Sequence, residues 1–349
     1  MAFFLIISAL LWGIGHLMGA PLRARFAMIG VLYAAILLAH VLLPDDNALR
    51  LSIGGTLGGW LVLGGAAVLG WLYTGIIARL KSRVRPLVPE AASTFSDAEL
   101  ERYARHIVLR EIGGAGQKRL KDARVLVVGA GGLGSPSLLY LAAAGVGTIG
   151  VIDDDVVDNS NLQRQVIHRD ADIGVPKVFS AQAAMVAQNP QVVVRSYNRR
   201  LDETSAVALI TDYDIVLDGT DNFDTRYLVN RACAASGKPL IAAALTQWEG
   251  QISVYDPASG APCYQCIFPV APAEGLAPAC AEAGVLGPLP GVVGAIMAVE
   301  AVKVITRAGA PLRGALLIYD ALYGEIRRIT LRPRVDCPVC GAGPTGQNP

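Results

Sequence analysis

The pattern of apolar and polar positions divides the chain into two unlike parts. Three early stretches carry no formal charge: Phe3–Ala20, Phe26–Leu43 and Leu51–Ala78. Each reaches the roughly 18–20 residues needed to cross a hydrocarbon core of about 30 Å. The pattern therefore predicts about three membrane-spanning helices within residues 1–85. A cleaved signal peptide is the competing reading of the first stretch. It fits poorly, because no basic residue precedes Phe3 and a second apolar stretch follows at once. The second stretch contains His40, which leaves a re-entrant hairpin open there. The third holds Gly54, Gly55, Gly58, Gly59, Gly64 and Gly65. Small residues four apart let helices approach closely, although lipid also simply tolerates glycine.

Beyond residue 85 the pattern changes. Residues 86–95, containing "PLVPEAAST", read as a linker. Ser96 with Glu99 three positions on forms a capping-box signature, and the helix it opens carries "ELERYARHIVLREIGG". Short β-type runs then alternate with helical segments. Strands are expected at Arg124–Val128, Thr148–Asp153, Gln191–Tyr197, Ile215–Asp218 and Pro239–Ala243, and helices at Ser135–Ala144, Lys177–Gln188 and Phe223–Ser236. This alternation predicts an α/β fold over residues 96–345, with a doubly wound, mostly parallel, Rossmann-like sheet. Val285–Ile305 is apolar enough for a further span, but it holds Glu300, Lys303 and two prolines. A buried helix is expected there.

Charge sharpens the division. Mean hydropathy is +0.44 and only 17% of residues are charged, with the apolar excess concentrated in the first 85 residues. Those residues hold seven Lys and Arg against two Asp and Glu; residues 86–349 hold 23 against 27. The larger part is mildly acidic and has no nucleic-acid footprint. Arg23 and Arg25 follow the first stretch, Asp45 and Asp46 the second, and Arg79, Lys81, Arg83 and Arg85 the third. Basic residues stay on the cytoplasmic side of a cell membrane. A multi-pass topology follows, with the N-terminus outside, lipid around residues 1–85, and everything after Ala78 in the cytoplasm. Attraction of the last basic run to anionic lipid is a secondary role.

Gly129, Gly131 and Gly134 in "VLVVGAGGLGSP" satisfy G-x-G-x-x-G between an expected strand and helix. Such a turn brings backbone close to phosphate at a helix N-terminus. Asp153 closes the next strand, where a carboxylate can accept from ribose hydroxyls. At this point NAD, FAD, a sulfonium cofactor and ATP all remain open. Arg164 in "DNSNLQRQ" and Lys177 in "GVPK" follow. An Arg fork and a Lys point charge suit a triphosphate better than a nicotinamide. Asp218 and Asp221 in "LDGTDNFDTR" lie at a strand end, where a carboxylate can hold the Mg2+ that accompanies ATP.

Six cysteines are present. Cys263-x-x-Cys266 and Cys337-x-x-Cys340 supply four thiolates for a closed, structural Zn2+ site. Disulfides are the alternative, which cytoplasmic placement disfavours. Cys233 lies in an apolar helical segment and reads as core. Cys280 lies in the Pro/Gly/Ala-rich "APACAEAGVLGP".

Taken together, "GAGGLGSP", "DNSNLQRQ", "GVPK", "DGTDN" and the cysteine pairs resemble the ThiF/MoeB/HesA family, the prokaryotic relatives of ubiquitin-activating enzymes, over about residues 95–342. The resemblance implies an adenylyltransferase that binds Mg-ATP. It would activate the C-terminal carboxylate of a small ubiquitin-like or sulfur-carrier protein, often one ending in Gly-Gly. It implies that Gly132 lies against the nucleotide and that Asp153 takes the ribose. Ser160, Asn161, Leu162, Gln163, Arg164 and Lys177 would face the nucleotide and its phosphates, and Asp221 would take magnesium with Asn222 beside it. It also implies a homodimer in which Arg105 reaches the partner's site, and a Cys280 that either forms a covalent adduct with the carrier or is a spectator. Competing readings are activation of another carboxylate (on a modified tRNA base or a peptide), a non-catalytic membrane scaffold, and a dehydrogenase for which no hydride-transfer site is evident.

Overall fold

The computed structural model describes residues 2–83, 94–272 and 283–341. The chain falls into two compact units, Met1–Ala92 and Ser93–Pro349.

The first unit is helical: α1 Ala2–Leu17, α2 Leu22–Leu42, α3 Ala48–Ile53 and α4 Leu57–Arg83. The stretches Leu22–Leu42 and Leu57–Ile77, 21 residues each, are long and apolar enough to cross a membrane, whereas the apolar stretch of α1, Phe3–Leu17, is shorter. The expected third span is interrupted. Gly54 and Gly55 take φ of +68° and +86°, and this left-handed backbone separates α3 from α4. Asn47 opens α3 by accepting from the Leu49 amide at 3.0 Å. Trp60 is fully buried against Phe4, Ile36 and Ile53, and its indole N–H donates to the Gly54 carbonyl at 3.0 Å. Close approach of helices at small residues occurs at Gly64, where an added Cβ would collide with the Tyr33 hydroxyl of α2. Gly58 and Gly65 have nothing within 4 Å.

In the second unit Ser96 and Glu99 complete the capping box of α5, Asp97–Ile107. The helix expected to run on to the Gly113–Gly114 pair instead breaks at Val108–Ile112. Gly113 takes φ +60° and α6, Gly113–Asp122, begins there. One eight-stranded sheet follows, in the order β3-β2-β1-β4-β5-β6-β7-β8. Its parallel half is β1 Arg124–Val128, β2 Thr148–Asp153, β3 Val193–Asn198, β4 Ile215–Asp218 and β5 Leu240–Leu245. The helices α7 Gly134–Ala144, α8 Lys177–Gln188, α9 Ala206–Thr211 and α10 Phe223–Ala235 connect these strands. The remaining strands, β6 Glu249–Tyr255, β7 Ala315–Asp320 and β8 Glu325–Thr330, form an antiparallel meander. The apolar pattern along the chain does not resolve these three strands.

Strand β1 lies between β2 and β4, with Val125 paired to both Ile149 and Ile215. The chain leaves β1 toward one edge through β2 and β3, then crosses back to continue at β4. The switch in direction opens a crevice outside the C-terminal ends of β1 and β4, where such sheets bind ligands. The short helix α11, Tyr264–Ile267, follows β6. The last helix, α12 Pro288–Thr306, packs on the sheet with Val293, Met297 and Ala301 in the core. Glu300, the residue that argued against a span there, is buried. It accepts from the Leu312 amide at 2.8 Å and pairs with Lys303 at 2.6 Å.

Candidate active site

A cleft of about 1210 Å³ opens at this switch point. Its floor is the glycine turn. Gly129 follows β1 at φ +94°, a left-handed backbone that favours glycine, and lies against Gly219 just after β4. A Cβ on Gly134, the first residue of α7, would strike the Gly129 carbonyl. The strand can thus turn directly into a helix whose N-terminal amides and dipole favour an anion.

The structure brings Gly129, Gly131, Gly132, Asp153, Arg164, Lys177, Asp221 and Asn222 together in the cleft lining. Asp153 accepts from the Ala130 amide at 2.7 Å and the Asp155 amide at 2.8 Å. Burial nonetheless raises its pKa above the ordinary carboxylate value. Lys177 opens α8, is itself buried, and pairs with Asp155 at 2.7 Å. The Arg164 guanidinium donates to the Ser160 carbonyl at 3.1 Å. Ser160, Asn161, Leu162 and Gln163 form the turn that carries Arg164 and are not themselves cleft-lining.

The two strand-end carboxylates separate into different roles. Asp218 is fully buried. One oxygen accepts from the Thr220 amide at 3.0 Å and its hydroxyl at 2.6 Å, and the other lies 3.9 Å from Arg226. Asp221 is exposed in the cleft, and Asn222 caps α10 by accepting from the Thr225 amide at 2.9 Å. Of these two carboxylates, only Asp221 lines the cleft. Arg105 is exposed on α5 and does not line the cleft of its own chain. Cys280 lies outside the described residues.

The cleft also holds residues the motifs did not single out: Arg199 and Arg200 after β3, and Trp248 before β6. Arg226 braces the turn from below, donating to the carbonyls of Thr220 and Ala243. It stands within the "DGTDNFDTR" segment. The carboxylates of that segment carry the motif, and Arg226 does not stand out beside them.

The four paired cysteines form a second centre. Their sulfurs lie within 4.8 Å of one another, with separations of 3.9 Å for Cys263–Cys266, 3.5 Å for Cys263–Cys337 and 3.3 Å for Cys266–Cys340. Four ligands about 2.3 Å from a tetrahedral zinc stand about 3.8 Å apart, so the cluster fits that ion. Burial alone would raise the Cys337 thiol, but hydrogen bonds that its sulfur accepts from the Val339 and Cys340 amides and from the Cys263 and Cys266 thiols outweigh it and bring it to about 7. Cys233 is buried on the core face of α10, as its apolar segment implied.

A switch-point cleft with a glycine turn, a ribose-type carboxylate and a phosphate-type Arg and Lys defines a nucleotide-binding α/β protein. Residues 103–339 match the ThiF family, and the chain belongs to that family. It is 50% identical over 251 residues to a Thermus thermophilus "Sulfur carrier protein adenylyltransferase", covering 71% of this chain and 93% of that protein. It is 51% identical over 262 residues to a Mycobacterium tuberculosis "Probable adenylyltransferase/sulfurtransferase MoeZ", covering 74% and 67%. It is 49% identical over 245 residues to the Haloferax volcanii "SAMP-activating enzyme E1", covering 70% and 90%. The fold matches a crystal structure of E. coli MccB with ATP at a TM-score of 0.60 and 24% identity, covering 68% of this chain and 74% of that one.

Proposed function

We propose that this chain is a membrane-anchored, ATP-dependent adenylyltransferase that activates the C-terminal carboxylate of a small ubiquitin-like or sulfur-carrier protein. The observation that carries the reading is the gathering of Arg164, Lys177 and Asp221 around one glycine turn, in a chain half identical to a named sulfur-carrier adenylyltransferase over nearly that enzyme's whole length.

The chemistry suits this equipment. The carrier carboxylate attacks the α-phosphorus of ATP, the bond to the bridging oxygen breaks, and pyrophosphate leaves with that electron pair. The nucleophile is already ionised at neutral pH, so no general base is needed. What the protein supplies is position and charge. The turn and the N-terminus of α7 cradle phosphate, Arg164 and Lys177 offset its charge, and Asp153 receives ribose hydroxyls. Asp221, with Asn222 beside it, would hold Mg2+, which neutralises the leaving pyrophosphate. In the cysteine cluster Zn2+ would tie the C-terminal segment to α11. Arg105, exposed and outside its own cleft, serves the partner's site in a homodimer.

Residues 1–85 anchor the enzyme in a cell membrane with the catalytic unit in the cytoplasm. The apolar lengths of α2 and α4 and the basic run Arg79–Arg85 support this placement. Cys280, if it acts, acts after adenylation: its thiolate attacks the acyl carbonyl, AMP leaves, and a thioester remains.

ATP–pyrophosphate exchange tests the reading. Exchange that depends on a carrier ending in a free carboxylate supports it, with Cys280→Ala leaving exchange intact and removing any covalent adduct. Exchange stimulated only by tRNA or a short peptide moves the enzyme to another carboxylate. No exchange with any of them leaves a scaffold and overturns the reading.

A further inference from the structure

We propose that His168 is a positioning residue of the nucleotide cleft: its ring anchors the Ala130 carbonyl and so sets the orientation of the glycine turn. The proposal rests on the adenylation reading of this cleft.

The glycine turn needs such an anchor. Glycine lacks the Cβ that restricts its neighbours' backbone, so the peptides of Gly129, Gly131 and Gly132 have little intrinsic preference for one orientation. Both peptides flanking Ala130 are nevertheless tied down. The Ala130 N–H donates to Asp153 at 2.7 Å, and the Ala130 carbonyl lies 2.9 Å from His168 Nε2. In a planar trans peptide the N–H points opposite to the C=O. Holding the Ala130 carbonyl on the buried ring therefore turns the Gly131 N–H the other way, and Gly131 lines the cleft. His168 thus selects the peptide orientation that presents a donor to a phosphate.

The ring's other contacts join the remaining phosphate-facing segments. His168 lies four residues after Arg164, in the stretch that also brings buried Gln165 beside Gly131. Its Nδ1 is 2.9 Å from the Ser180 hydroxyl, in the helix that Lys177 opens. Ser180 in turn donates to Asp172 at 2.7 Å. One buried side chain therefore links the glycine turn, the Arg164 segment and the Lys177 helix. A carbonyl only accepts, so the ring proton sits on Nε2. Burial favours the neutral ring, the bond to Ala130 opposes it, Lys177 supports it, and Asp153 and Asp172 act against it.

The test uses the full-length protein in detergent and measures Mg-ATP binding by calorimetry alongside the unfolding midpoint. His168→Leu fills the ring's volume without a donor. His168→Gln places an amide N–H where Nε2 stands. The expected result is a tenfold or greater weakening of Mg-ATP binding in the Leu variant, the order of a buried acceptor left unpaired, and binding within about threefold of wild type in the Gln variant. A purely structural role would not be rescued by the donor alone. A folded Leu variant that binds like wild type overturns the role, as does a folded Gln variant as weak as Leu. Should the Leu variant fail to fold, Gln decides: near-native binding supports the role and a tenfold loss overturns it. A wild type that does not bind Mg-ATP overturns the adenylation reading and the positioning role with it. A wild type that binds beside an unaffected Leu variant overturns the positioning role alone.

Discussion

In the ion pair between Lys177 and Asp155, closed at 2.7 Å, the lysine is the buried partner: its side chain is 6% exposed and the aspartate's 66%. Long amines usually keep their charged end in water. Here the amine is held at the start of α8, within the cleft lining, and the carboxylate that satisfies it sits at the solvent side. Asp155 can give way to a phosphate without leaving a charge buried and unpaired.

Lys177→Met is therefore expected to lower carrier-dependent pyrophosphate exchange by about 10²-fold or more, the scale of losing one preorganised donor to developing charge. Asp155→Asn should cost less than about tenfold, because an exposed carboxylate partner contributes only about 0–1 kcal/mol. Exchange kinetics on the two variants separate these roles. Equal losses would show that Asp155, too, takes part in the reaction.

The cysteine cluster predicts a structural dependence. Zinc bound by four thiolates adds directly to folding stability, and Cys337 and Cys340 tie the segment after β8 to Cys263 and Cys266. Cys337→Ser, or metal chelation, should lower the unfolding midpoint and open residues beyond β8 to protease. Limited proteolysis followed by mass measurement reads the cut site. A Cys337→Ser protein with unchanged midpoint and protease resistance would contradict the structural role.

How legible this was in the sequence differs from residue to residue, for physical reasons. That Gly129, Asp153, Arg164, Lys177 and Asp221 would meet in one cleft was readable because their motifs fall at the ends of expected strands and the starts of expected helices, and all five line that cleft. Strands β1, β2, β4 and β5 were readable because buried parallel strands are continuous apolar runs. The meander was not. All six residues of β8 are exposed, so it carries no inward-facing alternation to find. The break between α3 and α4 was hidden because Gly54 and Gly55 are as uncharged as any span residue. The inward turn of Asp218 was hidden as well, since its partners Thr220 and Arg226 identify themselves only once the loop is folded.

His168 gives stability a pH dependence of fixed sign. Burial is the largest influence on its pKa and places it below the ordinary 6.5. Between the folded value and 6.5 the unfolded chain binds more protons than the folded one, so stability rises with pH across that window. The contribution is complete above 6.5 and is lost as the pH falls. Gln does not titrate. From pH 7 to pH 5 the wild-type unfolding midpoint should therefore drop faster than that of His168→Gln. Parallel curves would show that folding leaves the His168 pKa unshifted.

Two neighbouring glycines in α4 should respond differently. A Cβ at Gly64 would collide with Tyr33, whereas Gly65 faces open space. Overpacking typically costs about 1–3 kcal/mol. Gly64→Val should therefore destabilise the N-terminal unit in detergent, while Gly65→Val leaves it unchanged. Thermal unfolding followed by Trp60 fluorescence checks the contrast, because Trp60 is the fully buried centre of that unit. Equal behaviour of the two variants would remove the close approach of α2 and α4.

The last prediction concerns Arg105. It is exposed on α5 and absent from the lining of its own cleft, which fits the proposed part in a partner protomer's site. Asp221 lies in the cleft of its own chain. Arg105→Ala and Asp221→Ala should each abolish exchange as homodimers, by different routes: the first lacks the donated arginine in both sites, the second lacks the magnesium carboxylate in both. In a mixed dimer one cleft keeps its own Asp221 and receives Arg105 from the Asp221→Ala protomer. The other cleft lacks both. Mixing equal amounts makes about half of the dimers mixed, each with one intact site of two, so roughly a quarter of wild-type exchange should return, by the same counting that governs isologous interfaces. Differently tagged variants purified in tandem establish that mixed dimers are present. Recovery near a quarter supports donation in trans. No recovery in verified mixed dimers would confine the loss in Arg105→Ala to its own chain.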